Sequence, residues 1–155
     1  MSIQELIARL EKAAGPDRAL DADIAATCKV TTDTDLQRYI GGGAAEYRAE
    51  EGHLIRVYVD GAMVFGSEAP RFTSSIDAAL TLVPEGFRWG CSRSQEPTKP
   101  QRPKFHGWVM PLHSCLADDE FEAWSEASPA IALCIAALKA RKDYALIQAG
   151  RERGG

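Results

Sequence analysis

The chain has 155 residues, of which 45% are apolar and 26% charged, and its formal net charge is -4. This length fits one domain, since typical domains contain roughly 100 to 200 residues. The mild acidic balance argues against a protein that coats duplex nucleic acid or binds membranes through a polybasic surface. We therefore expect a single domain over 1–150, followed by a flexible tail at 151–155.

The sequence has the features of neither a transmembrane helix nor a signal peptide. Its longest apolar run, 130–138, has nine residues, whereas a helix needs about 20 to span a bilayer. Glu5 interrupts the segment that would form the apolar core of a signal peptide. The four cysteines form no Cys-x-x-Cys pair, which favours free thiols in a reducing compartment. These features predict a cytoplasmic protein.

Two helices are predicted at the N-terminus. Ser2 and Glu5 have the spacing of a capping box and precede apolar residues at helical intervals. Gly15 and Pro16 end this helix, and a second helix follows at 17–27.

The next segments predict a loop and a hairpin. Residues 29–51 lack a clear pattern and are interpreted as an irregular loop with an edge strand around 36–40. Residues 53–59 alternate between apolar and polar, and the Asp-Gly pair at 60–61 is typical of a two-residue turn. Residues 62–66 supply the returning strand.

A third helix and a second hairpin follow. Residues 73–75 offer N-caps for a helix at 76–83. Residues 87–93 alternate and pair with 104–110, around a loop stiffened by three prolines. In this hairpin the residues expected to face the core are Phe87, Trp89 and Cys91.

The C-terminal part predicts a short strand and a long helix. The strand covers 121–124, and the helix begins at Ser128-Pro129 with an apolar stripe wide enough to pack on a sheet. The whole order of elements predicts an α+β sandwich, with helices on both faces of a mainly antiparallel sheet of four or five strands.

Three segments carry a family resemblance: GPDRALDADIAA (15–26), PRFTSSIDAALTLVPEGFRWG (70–90) and SPAIALCIAALKAR (128–141). In the second segment, the motif F-T-x-S is followed by the motif D-A-A-L-x-L-V-P-E-G-x-x-W. Together they resemble the phage ABA sandwich domain, a family of small bacteriophage and prophage proteins, over roughly two thirds of the chain. The resemblance implies a three-layer α-β-α sandwich and a phage or prophage origin. It implies no catalytic residues.

Signatures of phosphate, metal and nucleophile chemistry are weak. Three glycines at 41–43 lack the remainder of a dinucleotide or Walker motif. A zinc site built from His106, His113 and Cys115 would need ligands on both sides of a strand-ending proline, so no metal site and no cofactor are predicted. Cys91 and His106 would face each other across the second hairpin, but Cys91 alternates with core residues and is interpreted as an inert thiol.

The strongest binding feature is a basic cluster on and beside the second hairpin. It has five cations against Glu96, a local charge of +4, with the aromatic Trp108 nearby: Arg88, Arg93, Lys99, Arg102 and Lys104. Cations beside an aromatic ring are typical of sites for nucleotides or single strands. The alternative is a solvated loop, neutralised by the acidic run at 118–126.

The binding site predicted from the sequence comprises Arg88, Arg93, Arg102, Lys104 and Trp108. We expect a non-enzymatic phage or prophage accessory protein that binds a host protein or a small anionic ligand in the bacterial cytoplasm. The alternatives are a small hydrolase or nucleotide-handling enzyme, and a minor virion or assembly component.

Overall fold

The structure is a computed structural model that describes residues 1–33, 36, 40, 45–96, 99–112 and 120–154, with the side chains of 94–96, 99–103 and 144–154 left out. Its labelled helices are α1 (Ile3–Lys12), α2 (Arg18–Cys28), α3 (Ile76–Leu80) and α4 (Pro129–Gly154). Its strands are β1 (Ala45–Glu50), β2 (Leu54–Val59), β3 (Ala62–Glu68), β4 (Phe87–Glu96), β5 (Lys99–Pro111) and β6 (Phe121–Ser125).

Local hydrogen bonds start the helices where the sequence predicts. The backbone N–H of Glu5 donates to Ser2 Oγ at 3.2 Å, and that of Ser2 donates to Glu5 Oε2 at 2.9 Å, so the capping box is confirmed. Asp17 caps α2, Ser75 caps α3, and Ser128 Oγ accepts from the N–H of Ile131 at the start of α4.

The first sheet has the order β1-β2-β3 and is antiparallel throughout. The predicted hairpin between β2 and β3 is confirmed, and the turn residues Asp60 and Gly61 have φ angles of 52° and 81°. The interpretation of 29–51 as an irregular loop is wrong for β1, which pairs with β2 over Ala45–Glu50. Its sequence, AEYRAE, alternates correctly, but two of its three inward positions are alanines, which contribute little to a strand signal.

The edge strand predicted at 36–40 is also wrong. Leu36 and Ile40, the two described residues of that range, are helical and buried, and they contact Val57 of β2. Both side chains pack on the first sheet, where Val59 and Phe65 lie beside them.

The second sheet has the order β4-β5-β6 and is antiparallel. The hairpin of β4 and β5 and the strand β6 are confirmed, and so is the α+β class. The single sheet of four or five strands is wrong, because the strands form two sheets of three. Each sheet consists of strands that follow one another in the chain, and α3 lies between the two sets.

Helix α4 lies inside the core of the protein. All nine residues from Ala130 to Leu138 are buried, so this part of the helix is covered on every side. It packs against β5 and β6, and also against α1 and α3. A helix that is apolar all round belongs inside a core rather than in an outer layer. One core cluster accordingly combines α4 with Ile55 of the first sheet and Val109 of the second.

The three segments behind the family resemblance meet at Phe72 and Thr73. The backbone N–H of Asp17 donates to Thr73 Oγ1 at 2.9 Å. From α4, Ser128 Oγ donates to the Thr73 carbonyl and Cys134 Sγ to the Phe72 carbonyl, each at 3.2 Å. These segments therefore have a structural role, since their hydrogen bonds join both terminal helical regions to the chain before α3.

The C-terminal helix continues to Gly154, beyond the point at 151 where the sequence predicted a flexible tail. In the part of the chain that the structure describes, no helix has both the length and the apolar composition needed to cross a membrane.

Candidate functional site

The second sheet has one face on α4 and one face turned away from it. Gly107 points at the helix, because a Cβ atom there would lie 2.7 Å from the backbone of Ala132. Alternate residues of a strand point to opposite sides, so Trp108 points away from α4. We call this side the aromatic face. It carries Arg88, Gly90 and Ser92 of β4, Lys104, His106, Trp108 and Met110 of β5, and Glu122 and Trp124 of β6.

The indole of Trp108 lies over Gly90, its direct partner on β4. A Cβ atom at Gly90 would be only 2.4 Å from Trp108 Cε2. Glycine is therefore required here for steric reasons, because it lets the ring lie against the neighbouring backbone. Trp108 is half-buried at this position.

A second aromatic pair lies beside this ring. His106 is directly opposite Trp124, and the two rings stack with centroids 4.3 Å apart and planes inclined by 19°. The Nε2 atom of His106 is 3.0 Å from Glu122 Oε2. The His106 side chain is only 17% exposed, so stacking, burial and this hydrogen bond together hold the imidazole in one orientation.

Cations lie at both ends of the aromatic face. Arg88 Nη2 donates to Met110 Sδ at 3.0 Å, which holds the guanidinium at one end of the described part of β5. Lys104 lies six residues before Met110, about 20 Å away along an extended strand. It also lines a cavity of about 520 Å³ with Trp124 and the end of α1. The aromatic side chains of this face thus lie between two positive charges, those of Arg88 and Lys104.

The structure places three of the five residues of the predicted binding site on one face. Arg88, Lys104 and Trp108 share the aromatic face. Arg93 pairs with Phe105, and Phe105 lies two residues from Gly107, so both point to the same side. Because Gly107 faces α4, Arg93 also lies on the α4 side of the sheet. The side chain of Arg102 lies outside the described residues. Arg93 therefore does not share a face with Arg88, Lys104 and Trp108.

One core assignment and one alternative for β4 also need correction. Trp89 points to the α4 side of the sheet, as predicted, but its side chain is 42% exposed. The reason is that β4 is an edge strand, whereas α4 packs mainly across β5 and β6. Cys91 pairs with Gly107, whereas His106 pairs with Ser92. Cys91 and His106 thus point to opposite faces, so the possible Cys-His nucleophile pair is wrong.

Of the other described thiols, Cys134 is buried and Cys28 is half-buried. Burial raises the pKa of Cys134, whose Sγ donates to the Phe72 carbonyl. Burial also raises the pKa of Cys28, although the nearby charge of Arg141 opposes the shift. A thiol held in its protonated form is a poor nucleophile and a poor metal ligand, so both cysteines have packing roles.

Metal-ligating side chains meet at one place among the described residues. Ligand atoms of His106, Glu120 and Glu122 all lie within 4.8 Å of one another. The zinc set weighed from the sequence shares only His106, and its other members, His113 and Cys115, lie outside the described residues, as do the glycines at 41–43.

Sequence reasoning missed the two glutamates because it treated them as part of an acidic run. The available signal was their alternate spacing on and beside β6, which puts both on the side of Trp124. Comparison with known proteins adds no family to these observations: no family model, curated protein or solved structure matches the chain.

Proposed function

We propose that this protein is a non-enzymatic binding protein whose aromatic face takes a small anionic ligand with a flat ring, of the nucleotide class. The observation that carries the proposal is the placement of Trp108, whose indole lies against Gly90 with cations at both ends of its face. Every nucleobase can stack on an aromatic side chain, because every base has a flat aromatic face. Each stacked base contributes about 1–3 kcal/mol to binding.

Arg88 supplies the contact for the anionic group. It lies two residues from Gly90 on β4, hence diagonal to Trp108, at a distance of about 7 Å across the strands. A ligand that stacks on the ring can therefore reach the guanidinium with a phosphate. The planar guanidinium donates paired hydrogen bonds to phosphate oxygens, which favours Arg88 over Lys104 as the anion-binding group.

This geometry favours a small ligand over a host protein. The proposed contacts are a single ring and a single guanidinium, and Glu122 on the same face would repel an extended acidic surface. The three segments that resemble the phage ABA sandwich domain support a phage or prophage origin. A role in the bacterial cytoplasm, which that origin implies, is part of the proposal.

The test is a calorimetric titration with the four ribonucleoside monophosphates and, separately, with their nucleosides. Trp108→Ala should weaken binding of both sets about 5- to 100-fold, from the loss of stacking. Arg88→Ala should weaken only the monophosphates. Arg93→Ala is the matched control, because it removes the same charge from the other side of the sheet.

Two results would oppose the proposal. Equal losses in Arg88→Ala and Arg93→Ala would show that overall charge, not the aromatic face, attracts the anion. Chromatography of the recovered nucleotides should show them unchanged, and conversion to products would instead support the hydrolase alternative.

A further inference from the structure

We infer that His106, Glu120 and Glu122 form a binding site for one divalent transition-metal ion at the edge of the aromatic face. The set combines an imidazole with two carboxylates from neighbouring strands, and their ligand atoms lie within 4.8 Å of one another. None of the three was assigned a role in nucleotide binding, so the inference does not rest on the proposed function.

The distances suit a shared ion. Zinc holds imidazole nitrogen and carboxylate oxygen at about 2.0–2.2 Å. Two such ligands are about 3.0 Å apart at a right angle and about 3.4 Å apart at a tetrahedral angle. The observed separation of His106 Nε2 and Glu122 Oε2 is 3.0 Å, so this pair already has the spacing of two ligands on one ion. Rotation of the Glu120 side chain then brings in the third ligand.

The sheet supplies the preorganisation that such a site needs. His106 is directly opposite Trp124 on β6. Glu122 lies two residues before Trp124 on that strand, and Glu120 lies immediately before the strand begins. Stacking on Trp124 restrains the imidazole while Nε2 points at Glu122. A ligand held in its binding orientation loses little entropy when the ion arrives.

The ligand types decide the class of ion. Calcium and magnesium prefer sites built entirely from oxygen atoms, whereas imidazole suits zinc, iron and related ions. One imidazole with two carboxylates therefore favours zinc or manganese. Three protein ligands leave at least one coordination position for water or an anion, as in open zinc sites.

The experiment uses the full chain, purified without a histidine tag and treated with a chelator, and titrates zinc chloride and manganese chloride separately by calorimetry. We expect one ion per chain. Glu120→Gln and Glu122→Gln should each weaken binding by at least about tenfold, since even the outer partners of metal ligands contribute 10- to 100-fold. Glu68→Gln, a change of an exposed acid on β3, is the matched control and should bind as the unaltered chain does.

Thermal unfolding provides a second measurement, because an ion that binds only the folded state raises the melting temperature. Zinc should stabilise the unaltered chain and the Glu68→Gln variant but stabilise Glu122→Gln much less. Substoichiometric binding, or equal affinity in the Glu68→Gln and Glu122→Gln variants, would overturn the inference. So would loss of binding in Cys115→Ser, because that result would assign the ion to the thiol instead.

Discussion

The carboxylate of Asp21 accepts a hydrogen bond of 2.8 Å from the backbone N–H of Thr73, which lies 52 residues further along the chain. Both residues are fully buried. Arg18 pairs with the same carboxylate at 2.8 Å and donates to the Ala69 carbonyl at 2.7 Å. The buried ion pair of Asp21 and Arg18 thus binds α2 to the chain segment at 69–73, immediately before α3.

Replacing Asp21 with alanine should destabilise the protein by about 2–4 kcal/mol. The change leaves Arg18 and the Thr73 N–H without their partner, and breaking a buried pair in this way typically costs about 3–5 kcal/mol. We expect a smaller loss than this typical value because Arg18 is 28% exposed and water screens part of its charge. Urea denaturation measures the change.

Asp23→Ala is the matched control for Asp21. Asp23 also forms an ion pair from α2, with Arg9, but both side chains are partly exposed. We expect a loss below about 1 kcal/mol. Similar losses in the two variants would contradict the special role of the Asp21 carboxylate.

Gly90→Ala should displace the indole of Trp108. The new Cβ atom would lie 2.4 Å from Trp108 Cε2, so the ring must move or the strands must separate. Such overpacking costs about 1–3 kcal/mol. Thermal unfolding reports the loss, and tryptophan fluorescence reports the displaced ring.

Gly66→Ala on β3 tests whether any alanine in an edge strand has the same effect. A Cβ atom at Gly66 would lie 3.6 Å from Arg56 Cγ, which is ordinary van der Waals contact. Its stability and fluorescence should stay close to those of the unaltered chain. A spectral change as large as that of Gly90→Ala would mean that the close approach to Trp108 is not its cause.

The native protein should protect Cys134 from alkylation. Burial raises the pKa of this thiol, and the thiolate is the form that reacts with iodoacetamide. Cys91 is half-buried on the edge strand β4 and should react faster. Mass spectrometry of peptides after timed labelling measures both rates. Labelling of Cys134 at the rate found in denaturant would disprove the protection.

Glu50 should make stability depend on acid pH. Hydrogen bonds from Arg56 and Tyr58 lower its pKa from the ordinary value of 4.5. The folded state therefore binds this proton less readily than the unfolded state does. The resulting stabilisation is present above about pH 4.5 and is lost as the pH falls through the lowered pKa.

The Glu50→Gln variant removes this titration. Its melting temperature should fall less steeply in acid than that of the unaltered chain, while Glu68→Gln should follow the unaltered chain. An identical acid dependence in Glu50→Gln would show that the hydrogen bonds to Arg56 and Tyr58 do not couple to folding.

Much of the candidate site was visible in the sequence as separate residues. Arg88, Lys104 and Trp108 were predicted as binding residues, and the parity of β5 placed His106 beside Trp108. The grouping of His106 with Glu120 and Glu122 was missed, because it depends on which residue of β6 lies opposite each residue of β5. A shift of one residue in that register would turn both glutamates to the other side of the sheet.

The sequence by itself determined the features that neighbouring residues control: the helix caps at Ser2 and Ser75, and the turn at Asp60-Gly61. These depend on hydrogen bonds and φ angles within a few residues. Only the tertiary structure decided the division into two sheets, the exposure of Trp89 and the contents of the aromatic face. Those features depend on strand partners and on the burial of α4 between distant elements, and both are selected by packing energy summed over the whole core.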